Sequence, residues 1–210
     1  MTTVTCDVFG APDTPAVVEL LAREFSAADP PAVAMELTPA ELEAFVGRLC
    51  PTAAIDGLTI VARAPHTGQI VGVVLTDDFG APPAVDLSGV SGKILPILTM
   101  LDGLDEAYRK DRPIAAGQYL HLFMLGVDAR FARRGIAQQL VAACLANGRA
   151  KGYTHAVTEA TGVVSQHVFR KSGFLERQRA SYRDYRQDGR AVFASIQGHE
   201  ATILMERALA

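Results

Sequence analysis

The residues with the most chemical promise lie in one stretch, Leu125-Gly126-Val127-Asp128-Ala129-Arg130-Phe131-Ala132-Arg133-Arg134-Gly135-Ile136-Ala137. An apolar, strand-like run leads into a short arginine-bearing loop, and a helical pattern then begins at a glycine. The first amides of a helix have no intrahelical partner, and the helix dipole adds partial positive charge there. Gly135 and Ala137 keep the approach free of large side chains. Such a turn can cradle a pyrophosphate. A glycine near a helix start, taken alone, equally marks an ordinary helix N-terminus.

A second unit follows in Gly162-Val163-Val164-Ser165-Gln166-His167-Val168-Phe169-Arg170-Lys171-Ser172-Gly173-Phe174. Gly173 suits a helix terminus, and Phe174 opens a further apolar segment. In this order and at this separation, the two segments resemble the paired motifs of the GNAT N-acetyltransferases. The first motif, R/Q-x-x-G-x-G/A, falls on Ala132 to Ala137. The second, N-x-x-A-x-x-x-Y-x-x-x-G-F, falls on Gly162 to Phe174. Three positions depart from the pattern: Ala132 replaces Arg or Gln, Gly162 replaces Asn, and Phe169 replaces Tyr. Within the superfamily, Glu159-Ala160-Thr161, Ser165-Gln166, Ser181 to Tyr185, Asp188-Gly189 and His199 look like the arylalkylamine (dopamine-type) branch. The likeness is firm over about 119–207 and loose before it.

The resemblance implies an α/β (α+β) fold, a single mixed central sheet flanked by helices. It also implies direct transfer of acetyl from acetyl-CoA to a primary amine of a small molecule, with no covalent enzyme intermediate and no metal. Backbone groups of Leu125 and Val127 are expected on the pantetheine arm, and the Val127 N–H on the developing oxyanion. Arg133, Arg134, Gly135, Ile136, Ala137 and Gln138 are expected on the pyrophosphate. Asp29 stands where the branch carries Glu-Pro and is the expected general base, although Asp29-Pro30 reads equally as a plain helix end. Glu159 is the second candidate, and His199, acting through a water, the third. For the thiolate's proton, Ser165 lies one helical turn before Phe169 and shares its face. Ser165 and Phe169 are therefore both expected at the cofactor, with Tyr182 and Tyr185 as other proton donors.

The elements that must position these groups are readable from periodicity. Residues 3–9 read as a strand. Asp13-Thr14-Pro15 opens a helix with the stripe Val17, Leu21, Phe25, ending near Ala28 to Pro31. Thr38-Pro39-Ala40-Glu41 has the form of a capping box before Leu42, Phe45, Val46 and Leu49. Residues 57–64 and 69–77 form a hairpin, and 78–93 a loop. Ile97, Leu101, Leu104 and Tyr108 predict a helix over about 94–110, which either walls an apolar acceptor pocket or makes a homodimer interface. Tyr119 to Val127 is apolar throughout and so central in its sheet. Helix from Gly135 to about Ala150, strand His155 to Ala160, helix Val163 to Ser172, strand Phe174 to about Tyr185 and closing strand Ala201 to Arg207 complete the order. We read residues 1–210 as one domain with a helical insertion around 78–118.

Composition agrees with an ordinary globular chain: 210 residues, 49% hydrophobic and 20% charged. A net charge of -3 argues against general nucleic-acid binding. No apolar run reaches the roughly 20 residues of a membrane span, and the N-terminus lacks a signal-peptide pattern, so a cytoplasmic location is expected. Cys6, Cys50 and Cys144 are scattered, without C-x-x-C spacing, and suggest neither a disulfide framework nor a zinc site. Two other readings stand beside the enzyme: a non-catalytic acyl-CoA-binding module, favoured by the three departures, and an acetyltransferase acting on a peptide or protein amine. A dinucleotide-binding oxidoreductase would need G-x-G-x-x-G, and Gly135 stands alone.

Overall fold

The computed structural model describes residues 4–81 and 86–209. Seven strands form one mixed sheet: β1 (Thr5–Val8), β2 (Ile60–Arg63), β3 (Ile70–Asp78), β4 (Tyr119–Val127), β5 (His155–Ala160), β6 (Leu175–Ser181) and β7 (Ala201–Ala208), in the order β1-β2-β3-β4-β5-β7-β6. Among the described residues only β4 and β5 pair parallel. Six helices cover the sheet: α1 (Thr14–Ala28), α2 (Pro30–Ala34), α3 (Pro39–Asp56), α4 (Leu95–Arg109), α5 (Ile136–Ala150) and α6 (Val163–Lys171). Helices α1, α3 and α4 bury their stripes on one face, against Val73, Leu75 and Met124. Helices α5 and α6 pack on the other, against Val71, Leu120, Ala156 and Ile203.

Local chemistry explains most boundaries. Thr38 Oγ1 accepts from the Glu41 N–H, and the Glu41 carboxylate accepts from the Thr38 N–H, so the predicted capping box is formed. Asp29 closes α1 and caps α2, a short helix that the sequence pattern missed because two prolines hide it. Gly173, in the left-handed region, ends α6, with the Phe174 N–H donating back to the Phe169 carbonyl. The first strand is shorter than expected. Thr3 and residues 82–85 of the expected loop lie outside the described residues. The loop before α4 ends in a 3-10 turn at Gly92–Ile94.

One expectation is sharpened and one corrected. The closing strand expected over Ala201 to Arg207 is β7, and it takes an inner place between β5 and β6, pairing antiparallel with both. The last strand to form in chain order can take an inner place because the β5-α6-β6 crossover leaves one open. The segment after Phe174 is an edge strand with a largely exposed surface, while Phe174 itself is buried.

A bulge in β4 matters more for the site. Leu75 pairs with Met124 and Thr76 with Leu122, so Phe123 has no opposite residue. Before the bulge, Leu120 and Leu122 point toward α5; after it, Leu125 and Val127 do. One extra residue therefore moves the side-chain alternation by one place. It also puts Gly126 against α1, where an added Cβ would lie 2.8 Å from Leu21 Cδ2.

Candidate active site

The parallel ladder between β4 and β5 ends early. Tyr119, Leu120 and His121 pair with His155, Ala156 and Val157, and the Thr158 hydroxyl donates to the Leu122 carbonyl at 2.8 Å. Beyond that point the strands carry no further paired residues, so the second half of β4 has β3 on one side and an opening on the other. The Asp128 N–H donates to the Val71 carbonyl on β3 at 3.0 Å. Alternation along a strand then directs the N–H groups of Leu125 and Val127 the other way, into the opening. An extended chain can add there as a strand does.

At the end of β4 the backbone turns into α5. Asp128 is buried and braces the turn: its carboxylate accepts from the Arg130 N–H, from the Arg130 guanidinium at 2.6 Å and from Arg23 at 3.1 Å. Hydrogen bonds from Arg130 hold this carboxyl below its ordinary range. Arg133 adopts φ 60° and Gly135 φ 79°, a left-handed turn that points successive N–H groups outward. No side chain caps α5, so the amides of Ile136, Ala137 and Gln138 lack intrahelical partners. Arg133, Arg134 and Gln138 are exposed beside them. Phe169, by contrast, is buried in the core with Phe174, ring centroids 5.1 Å apart.

Across the opening, at the end of β5, the structure brings together residues from four separate segments. Asp29, half-buried at the α1–α2 junction, accepts from the Thr161 hydroxyl at 2.5 Å and from the Ala32 N–H at 3.0 Å. Desolvation of its carboxyl raises its pKa, and its hydrogen bonds from Thr161 and the Ala32 N–H act against that rise. The Tyr182 hydroxyl donates to the Thr161 carbonyl at 2.5 Å and pairs with Thr202 Oγ1 at 2.9 Å. The Val163 N–H donates to His199 Nδ1 at 3.1 Å, which leaves the ring proton on Nε2. Gly162 sits between His199 and Pro30, where a Cβ would be 3.5 Å from each. Ser165 caps α6, donating to the Gly162 carbonyl and accepting from the Gly162 N–H.

Glu159 is not part of this group. Its side chain is 2% exposed, and Oε2 lies 2.7 Å from His121 Nε2, while His121 Nδ1 lies 2.9 Å from Asp77. The sequence reading assigns no role to His121 or Asp105, and Thr161 enters it only within Glu159-Ala160-Thr161. A lone histidine in the apolar run Leu120-His121-Leu122 was the available signal for the first. Tyr182 is fully buried, and burial raises its phenol pKa. Burial also pushes the thiols of Cys50 and Cys144 up, to about 11 and about 12. Among the described residues no group of three or more His, Cys, Asp or Glu is placed to hold a metal ion, and no helix is long and apolar enough to cross a membrane.

Comparison with known proteins bears on the fold and the family. The acetyltransferase (GNAT) family model matches residues 15–174. Among curated proteins none matches the sequence. The fold superposes on the C-terminal condensation domain of Ebony in complex with beta-alanyl-dopamine, with TM-score 0.91, 17% identity, 99% of this chain and 100% of that one. Arylalkylamine N-acetyltransferase 2 from Aedes aegypti gives TM-score 0.82 at 22% identity, over 99% and 100% of the two chains. The polyamine N-acetyltransferase of Drosophila melanogaster gives 0.78 at 20%, over 98% and 100%. The likeness to these structures lies in the fold; the matched family model, over most of the chain, places the protein itself in the GNAT acetyltransferase family.

Proposed function

We propose that the protein transfers an acetyl group from acetyl-CoA to a primary amine of a small molecule. The observation that carries this reading is the desolvated Asp29 carboxylate, held by Thr161 just past the end of β5, together with an α5 N-terminus that no side chain caps. The uncapped amides of Ile136, Ala137 and Gln138, with Arg133, Arg134 and Gly135, take the pyrophosphate. The pantetheine arm lies along Leu125 and Val127, whose N–H groups face the opening. Acetyl-CoA supplies the thioester.

Asp29 removes a proton from the incoming ammonium, and its raised pKa suits a base working near neutral pH. The amine nitrogen attacks the thioester carbonyl, the N–C bond forms and the C–S bond breaks. The Val127 N–H stabilises the developing oxyanion, and Ser165 returns a proton to the thiolate when its hydroxyl turns from the Gly162 carbonyl. Tyr182 orders Thr161 and so holds the base in place. The acceptor is a small amine, in keeping with the arylalkylamine and polyamine N-acetyltransferases that share the fold.

The test is thiol release from acetyl-CoA across a panel of primary amines. Turnover that collapses in Asp29→Ala, with acetyl-CoA affinity kept, supports the reading. Tight acetyl-CoA binding with no turnover for any amine would favour the binding-module alternative. A second reading concerns the acyl group. The fold superposes more tightly on the Ebony condensation domain than on either acetyltransferase above, and that domain is described with beta-alanyl-dopamine. An aminoacyl thioester is therefore a second donor to test.

A further inference from the structure

On the α4 face of the sheet a row of carboxylates runs away from Asp29. Thr161 and Glu159 lie on the same face, two residues apart, roughly 7 Å along the chain. Next to Glu159 stands Asp105 of α4, then Asp102 of the same helix, whose pKa is raised by burial and by the charges of Glu106 and Glu159. Against these acids the described residues set few cations. His121 is engaged from both ring nitrogens, by Asp77 on β3 and Glu159 on β5. Arg109 of α4 turns away, its guanidinium 3.8 Å from the Phe79 ring centre and bonded to the Phe79 carbonyl.

Two oxygens are left over. Glu159 Oε1 and Asp105 Oδ1 are both buried without a hydrogen-bond partner outside this carboxyl pair. A buried unpartnered carboxylate oxygen is costly and calls for a proton or a cation. Tyr182 and Tyr185 both pack on the Phe193 ring; the Tyr182 phenol feels the Asp29 charge, and the Tyr185 phenol is raised by burial and by nearby Asp102.

We propose that Glu159 and Asp105 form a receptor for a second primary ammonium group carried by one of the two substrates. The proposal rests on the acyl-transfer reading above. The ammonium arrives either on the far end of a diamine acceptor or on an ω-aminoacyl group of the donor. When it binds, it replaces the proton that otherwise satisfies the two carboxyls. Asp105, pushed up to about 9 by burial and by the Glu159 charge, holds that proton in the free protein at neutral pH.

The experiment compares matched substrates in the wild type, Glu159→Gln and Asp105→Asn. One arm measures kcat/KM for putrescine against n-butylamine with acetyl-CoA. The other measures the β-alanyl against the butyryl thioester with phenethylamine. The wild type is expected to prefer the ammonium-bearing member of one pair, and that pair names the source. Both variants are expected to lose the preference by about tenfold or more, since a charge-assisted contact is removed. Asp105→Asn does not touch the His121 pair and so separates recognition from folding. Calorimetry with putrescine and with β-alanyl-pantetheine reads binding without turnover. Loss of that binding in the variants supports the receptor even if acetyl transfer is absent and the enzymatic reading fails. Equal slowing of both members of each pair, or no discrimination and no binding in the wild type, overturns it.

Discussion

Asp29 performs two tasks that pull in opposite directions. As an N-cap it accepts from the Ala32 N–H, and desolvation raises its pKa. An acid whose folded-state pKa lies above its unfolded value binds more protons when folded, so its contribution to stability falls as pH rises from the unfolded value through the folded one. Asp29→Asn keeps the cap and can still accept from Thr161 while removing the desolvated charge. We expect its melting midpoint at neutral pH to match or exceed that of the wild type. We expect its kcat to fall by about 10²–10⁴, the usual worth of a positioned base. Calorimetric melting and steady-state rates on one preparation check both. The base must also be deprotonated to act. The rising limb of kcat/KM against pH should therefore lie above the ordinary carboxylate range and vanish in the variant.

At the scale of elements, two glycines carry the architecture of the cleft. Gly135 starts α5 from the left-handed region, φ 79°. Gly135→Ala forces an L side chain into that conformation at a cost of about 1 kcal/mol or more. The amide turn should distort, so the KM for acetyl-CoA should rise more than the KM for the amine. Gly126 lies where β4 meets α1, with Leu21 Cδ2 2.8 Å and Leu20 Cδ2 3.1 Å from the place of a Cβ. Gly126→Ala overpacks that contact, costing about 1–3 kcal/mol, and pushes on the helix whose end carries Asp29. Urea denaturation should show the loss, and kcat should fall although the substitution touches no substrate. The β4 bulge was not legible in advance, because Phe123 is as apolar as its neighbours and the pattern gives no sign of a skipped pairing.

For the molecule as a whole, His121 ties three adjacent strands together at the last rung before β4 and β5 part. Burial opposes its charge, but Glu159 and Asp77 outweigh burial and hold its pKa well above 6.5. A raised histidine gives stability that is complete below the unfolded value and lost as pH rises through the folded one. Asp105, raised to about 9, acts in the same direction. The melting midpoint should therefore decline on the alkaline side of neutrality, and His121→Gln and Asp105→Asn should each flatten part of that slope. His121→Ala would strand a buried carboxylate and should cost about 3–5 kcal/mol in chemical denaturation.

The sequence alone determined the main strands and helices and their order, with α2 the helix it hid. Strand and helix periods, the Thr38–Glu41 box and the glycine stops are local, set by neighbours a few residues apart, and the bounds of β4 and β5 were readable to the residue. It also determined the family, through two motifs in order, and the short list of bases from which Asp29 was favoured. The tertiary structure alone decided which side chains meet. Thr161 reaches Asp29 across 132 positions of chain, and Glu159 reaches His121 across 38. Such contacts depend on strand order, on β7 entering between β5 and β6, and on the one-residue bulge that moved the faces of β4. None of these leaves a mark in local periodicity, because pairing between distant strands is settled by burial over the whole sheet.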